Sequence, residues 1–298
     1  MSDFHQWDQL PHANEWILFE DNVGPFLSID ETALSQGELY TVITNKEAKG
    51  KKGALVTMIK GTNSDTIRAV LEKIPFRKRK KVQEITLDMA ANMEKIARYS
   101  FPKAVLVTDR FHVQKLAYDA VQEMRIQYRW EAIEQENKEI ELSKELNKKF
   151  IPEVLENGDT LKQLLARSRY LLFKSNEAWT PSQIFRAEIL FSRYPLLEQA
   201  YNLAMQLGVI YSRTKIKEVA FSKLALWYEK VEKAGFKSFN TVARSIEAHY
   251  LTILNYFNNR STNASAESFN AKIKAFRSAF RGVRNISFFL FRLKNIYA

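Results

Sequence analysis

Three runs of β-forming residues in the first 110 residues of the chain end in an acid. Asp30 closes Phe26–Asp30 (FLSID), Asp88 closes Val82–Asp88 (VQEITLD) and Asp109 closes Ala104–Asp109 (AVLVTD). In α/β sheets, sites assemble at the C-terminal ends of parallel strands. A fourth acid, Glu267, stands in the stretch NASAESFNAKIKAFRSAF. Each alone has an ordinary explanation, since Asp ends strands and caps helices and Glu suits a first helical turn. Together they stand in a basic chain, with 45 Lys+Arg against 34 Asp+Glu, a net charge of +11 and a pI near 9.5. A protein that attracts phosphodiesters has no electrostatic reason to gather carboxylates unless a cation sits between them. Carboxylates holding divalent metal ions are the usual device for in-line attack on a phosphodiester.

The surroundings of Glu267 extend this reading. Phe269, Ile273, Phe276 and Phe280 are spaced as the apolar stripe of a helix. At 100° per residue Glu267 is expected roughly opposite that stripe, with Asn270, Lys274, Arg277 and Arg281 on its side. Those four are candidate contacts to DNA phosphates. From Arg260 to Ala298 there are eight cations and one acid, a net +7. Arg77–Lys81 is a second basic run, which reads equally well as a solvated loop. His112 lies three residues after Asp109. His5, His12 and His249 show no metal-ligand spacing, and Glu31 is expected to face away from Asp30 or to touch the site from outside. No G-x-x-x-x-G-K-[ST] phosphate loop and no G-x-S-x-G elbow occurs, which argues against an NTP-driven motor and a serine hydrolase.

The elements that must position these residues fall into three stretches. Up to about residue 118 the pattern is β-β-β-α-β-α-β. Phe26–Asp30, Glu38–Thr44 and Ala54–Ile59 have links short enough only for antiparallel hairpins. A helix over Ile67–Ile74 and another near Met93–Tyr99 separate the two later strands, a pattern that predicts a mixed sheet with helical crossovers. From Val113 to about Asn258 helices dominate, over Val113–Trp130, Leu161–Phe173, Gln183–Tyr194, Leu196–Ile210, Lys217–Lys233 and Phe239–Phe257. Glu131–Glu145 carries six Glu against two Lys and reads as a solvated helix face. The expected fold class is α/β: a mixed five-stranded sheet with a large all-α insertion before the helix bearing Glu267. The expected boundaries are a lead over 1–25, a first core segment over 26–118, the insertion over 119–258 and a last core segment over 259–298.

The 298 residues are 46% hydrophobic and 27% charged, a soluble globular composition with room for a sizeable core. There is no cysteine, so disulfides, thiol nucleophiles and Cys-type zinc or iron–sulfur sites are excluded. No apolar run reaches the roughly 18 residues that span a membrane, and the N-terminus has no signal-peptide core. A cytoplasmic, nucleoid-associated location is expected.

These strings resemble the ISL3 family of insertion-sequence transposases, RNase H-like DDE enzymes distantly related to the Mutator-like group. The matching stretches are SIDETAL (Ser28–Leu34), TLDM (Thr86–Met89), FPKAVLVTDRFHVQKLAYDAVQEMR (Phe101–Arg125), PLLEQAYNLAMQL (Pro195–Leu207) and NASAESFNAKIKAFRSAFRGVRNISFF (Asn263–Phe289). DRFHV and AESFNAKIK are the most specific. The resemblance implies an RNase H-like core in which the fourth strand lies beside the first and the fifth lies further out. It therefore implies Asp30, Asp88 and Glu267 as catalytic metal ligands for two Mg²⁺ or Mn²⁺ ions. Asp109 and His112 fit the (C/D)-x-x-H motif that follows the second catalytic Asp in Mutator-like relatives, which makes them an accessory pair. The implied activity is DNA cleavage at element ends followed by strand transfer, on double-stranded DNA, with a homodimer possible on the DNA. Family members usually carry an N-terminal zinc segment and a helix-turn-helix, for which residues 1–25 have no room. The resemblance therefore leaves end recognition to a separate polypeptide, or lost. A catalytically inactive or regulatory DNA-binding relic, or another RNase H-like nuclease, is the alternative.

Overall fold

The β-rich runs pair into one mixed sheet in a computed structural model, which describes residues 2–34, 37–279 and 285–298. After a short helix α1 (Ser2–His5), the strands are β1 (Trp16–Leu18), β2 (Phe26–Ala33), β3 (Leu39–Asn45), β4 (Leu55–Lys60), β5 (Glu84–Leu87) and β6 (Val105–Thr108). Their order in the sheet is β1-β4-β3-β2-β5-β6. β2, β3 and β4 form antiparallel hairpins, while β5 lies parallel to β2 and β6 parallel to β5. The crossovers run through α2 (Ser64–Leu71), α3 (Phe76–Arg79) and α4 (Ala91–Ser100).

The sheet has six strands, not the five expected. The extra one, β1, lies in the N-terminal lead and pairs antiparallel with β4, from Trp16↔Ile59 to Leu18↔Thr57. Three residues are too short a run to show alternation, yet Ile17 is fully buried. A second difference matters more. Asp30 does not end its strand: β2 continues to Ala33, still paired with β3, whereas the β2–β5 ladder stops at Ser28↔Thr86. Asp30 thus stands just past the last pairing of β2 with β5.

Apolar side chains on both sheet faces form the core of this part. One cluster joins Leu27, Ile29, Ile43, Ile85 and Leu106 to Ile67, Val70 and Leu71 of α2 and to Met93 and Ile96 of α4. The other joins Tyr40, Val42 and Met58 to Phe269 and Ile273 of α12 (Ala264–Ala279) and to Phe289, Leu290 and Leu293 of α13 (Ile286–Tyr297). α11 (Tyr250–Asn259) packs along β6, and Asn255 Nδ2 donates to the Leu106 carbonyl at 2.9 Å. That contact satisfies a backbone acceptor on an edge strand, which would otherwise be open to pairing with another chain.

The chain divides into two compact units, one of Met1–His112 with His249–Ala298 and one of Val113–Ala248. The second is helical. α5 (Arg110–Glu145) runs 36 residues without a break into the acidic stretch. α6 (Leu161–Arg167), α7 (Pro181–Arg193), α8 (Pro195–Arg213), α9 (Lys217–Ala234) and α10 (Lys237–Ala248) follow. Pro181 sits in the first turn of α7 behind a Thr180/Gln183 capping box, and Gly235, at φ 65°, ends α9. The single helix expected over Phe239–Phe257 is two. His249 leaves helical geometry between α10 and α11, and its Nδ1 lies 3.2 Å from Glu94 Oε2. Among the described residues no helix is long and apolar enough to cross a membrane.

Candidate active site

Side chains alternate across a strand, so register decides which acids share a face. Ser28 pairs with Thr86, Thr86 with Val107 and Leu87 with Thr108. Continuing those registers by one or two residues puts Asp30, Asp88 and Asp109 on one face of three adjacent strands. Asp88 and Asp109 stand one residue beyond β5 and β6. The same face carries Ser28 and Thr86, both fully buried.

Local hydrogen bonds orient each acid. Asp30 Oδ1 accepts the Glu31 N–H at 2.9 Å, and Asp30 Oδ2 accepts Asn270 Nδ2 of α12 at 2.7 Å. Asp88 Oδ1 accepts the Ala90 N–H at 2.9 Å, at the entry to α4. Asp109 is almost wholly buried and sits where an N-cap would, just before α5. Its Oδ1 accepts the Phe111 N–H and its Oδ2 accepts the Asn263 N–H, each at 3.2 Å. One carboxylate therefore ties the start of α5 to the start of α12. His112 falls in the first turn of α5, and the D-x-x-H spacing is that of an N-cap and the residue three further on, which share one side of a helix start.

Glu267 enters from the first turns of α12. Its backbone N–H bonds to the Asn263 carbonyl at 2.9 Å. Asp109, His112 and Glu267 each offer a ligand atom, and these atoms all lie within 4.8 Å of one another. Burial pushes the Asp30 carboxyl above the usual carboxylate range. The charges of Asp88 and Glu267 push the same way, against the Glu31 N–H and His112. Burial, then Asp88 and Asp30, raises Glu31 as well. Carboxyls raised together by burial and by one another's charge are a common feature of active sites.

The predicted DNA contacts fare differently. Lys274 is exposed. Asn270 is buried against Asp30, and so orients a carboxylate instead of facing outward. Arg277 is also buried, with Nη2 3.5 Å from Glu38 Oε1 and its guanidinium over the Phe289 ring. The buried stripe of α12 is thus wider than the apolar residues alone suggest. It takes in positions 270 and 277, which the sequence reading placed on the open side. Arg281 lies outside the described residues.

Two supports carried no sequence signal. Asn263 is fully buried before α12, bridging the Ile29 carbonyl and Asp109. Lys46 Nζ bonds Thr86 Oγ1 at 2.7 Å and pairs with buried Glu84 at 3.4 Å, which Asn259 also contacts. Burial lowers the Lys46 amine, opposed by Glu84 and Asp109. Asn263 opens the matching stretch Asn263–Phe289, but nothing in that string marks it as a support, and Lys46 reads as one more lysine of a basic loop.

The donor set fits a divalent cation. Among the described residues the grouped donors are Asp109, His112 and Glu267, two hard carboxylates and an imidazole whose Nε2 is buried without a hydrogen-bond partner. Asp30 and Asp88 lie outside that group and reach it only through charge, Asp30 being raised by Asp88 and Glu267. The DDE_Tnp_ISL3 family model, described as a transposase, matches residues 27–293. No curated protein and no solved structure matches the chain.

Proposed function

The chain belongs to the ISL3 transposase family, and on that premise we propose that its sheet-bearing unit is an RNase H-like DDE catalytic core, cutting DNA at insertion-sequence ends and joining them to a target. The observation that supports this best is the position of Asp30. It stands past the end of the β2–β5 ladder, on the face shared with Asp88, with its acidity weakened by burial and by Asp88 and Glu267. Asp30, Asp88 and Glu267 would hold two divalent cations, Mg²⁺ or Mn²⁺. Bound there, the cations would supply Lewis acidity toward the attacking water or 3′-hydroxyl and toward the leaving oxygen.

The remaining work belongs to the chain's own residues. Asn270 holds the Asp30 carboxylate in one orientation through a 2.7 Å bond. Asp109 and Asn263 fix the start of α12, and with it Glu267, against β6 and β2. Exposed Lys274, two helical turns beyond Glu267, is placed to hold a phosphate beside the scissile bond. Membership of the family implies DNA as the partner, and synapsis of two ends would bring two copies together on it.

The test is a plasmid carrying the element's ends. Asp30→Asn, Asp88→Asn and Glu267→Gln should each lose strand cleavage by at least about 10³-fold. DNA binding should hold or tighten, because a repulsive charge has gone. Asp109→Asn should retain more cleavage than Asp88→Asn. Full cleavage by Asp30→Asn would overturn the catalytic reading, and nicking without strand-transfer product would reassign the core to another nuclease.

A further inference from the structure

We propose that Asp109, His112 and Glu267 form a cation site with an imidazole nitrogen ligand, distinct from an all-carboxylate Asp30/Asp88/Glu267 cage. It rests on the catalytic reading only through Glu267, which the two sites would share.

Three observations carry it. First, the three donor atoms already lie within 4.8 Å of one another. Ligand bonds of about 2.1 Å put two donors on one cation at most about 4.2 Å apart, so a small side-chain adjustment closes the site. Second, His112 Nε2 is shielded from solvent and has no hydrogen-bond partner. A buried polar atom left so costs free energy, and a cation would satisfy it. Third, the local geometry is pre-set. Asp109 is held by two backbone N–H groups, one on each carboxylate oxygen, which leaves a lone pair on each oxygen for a metal. His112 is fixed one helical turn along, its own N–H 3.2 Å from the Asp109 carbonyl.

The chemistry of the donors predicts the cation. Imidazole suits Zn²⁺ and the later transition metals, whereas Mg²⁺ prefers oxygen and keeps its waters. A site with one nitrogen should therefore favour Mn²⁺ or Zn²⁺ over Mg²⁺ more than a cage of carboxylates does.

The experiment loads the full chain with Mn²⁺ in a nitrogen-free buffer and records electron spin-echo envelope modulation. A ¹⁴N coupling should appear, disappear in His112→Gln and persist in Asp30→Asn. His112→Gln should also weaken Mn²⁺ binding by roughly tenfold or more. Asp109→Asn, read the same way, covers the case in which His112→Gln fails to fold. Mn²⁺ binding without a ¹⁴N coupling, a coupling that survives both variants, or no binding at millimolar Mn²⁺ would each overturn the proposal. The readout is independent of cleavage: an Asp30→Asn protein that keeps both the coupling and full activity would sink the catalytic reading and leave this site standing.

Discussion

At the residue scale the central fact is the Asp30 carboxyl, whose acidity burial weakens. The sign of its effect on stability follows. A carboxyl with its folded-state value raised stabilises the fold below the ordinary carboxylate range, near about pH 4, and that stabilisation is lost as pH rises through the folded-state value. Metal-free protein should therefore gain thermal stability on mild acidification, until general acid unfolding intervenes. Asp30→Asn removes the charge and keeps one acceptor oxygen, for either the Glu31 N–H or Asn270 Nδ2. Its melting temperature should exceed that of the parent by a few degrees near neutral pH, and the gap should close in acid. A pH-independent gap, read by scanning calorimetry, would refute the electrostatic cause. Arg277 makes the opposite point. A cation on a basic helix invites a role on DNA, yet this one is buried beside Glu38 and Phe289.

At the element scale, α12 carries Glu267 and Asn270, and its placement rests on packing. Phe269 and Ile273 seat it in the cluster that includes Tyr40, Val42 and Phe289. Phe269→Ala should cost about 3–5 kcal/mol by chemical denaturation, the range for emptying a buried aromatic site. Where the variant still folds, its cleavage should fall further than Lys274→Ala, because Glu267 and Asn270 lose their common support. Local propensity could announce the helix but not its buried face. Apolar residues marked Phe269, Ile273 and Phe276, while Asn270 and Arg277 joined the same face through specific polar partners. The break at His249 was equally silent, since the residues on either side keep a helical pattern.

At the scale of the whole molecule the charge distribution dominates. A net +11, with +7 in the last 39 residues, predicts DNA binding driven by phosphate neutralisation and counterion release. Affinity for a non-specific duplex should fall by roughly 10³-fold between 50 and 200 mM salt if about six phosphates are engaged. Lys274→Ala should reduce the slope of log affinity against log salt by about one. A fluorescence anisotropy titration at four salt concentrations measures both, and a flat salt dependence would remove DNA as the partner.

The sequence by itself determined what depends on near neighbours along the chain. Hairpin partners follow from short links and most strand positions from β-forming runs, while the D-x-x-H pair is legible only through the family resemblance, its place at a helix start being a structural finding. The family strings are local too, and they carried the resemblance that the match over residues 27–293 shows. What only the tertiary structure decided depends on contacts far apart in the chain. Trp16–Leu18 becomes a strand because β4 offers an edge. β2 outlasts Asp30 because β3 still pairs with it after β5 has ended its ladder. Asn263 and Asp109, 154 residues apart, meet because a buried carboxylate needs donors and a buried helix start needs an acceptor. Periodicity says which residues want burial, and it is silent on which polar groups will be buried with them and against whom.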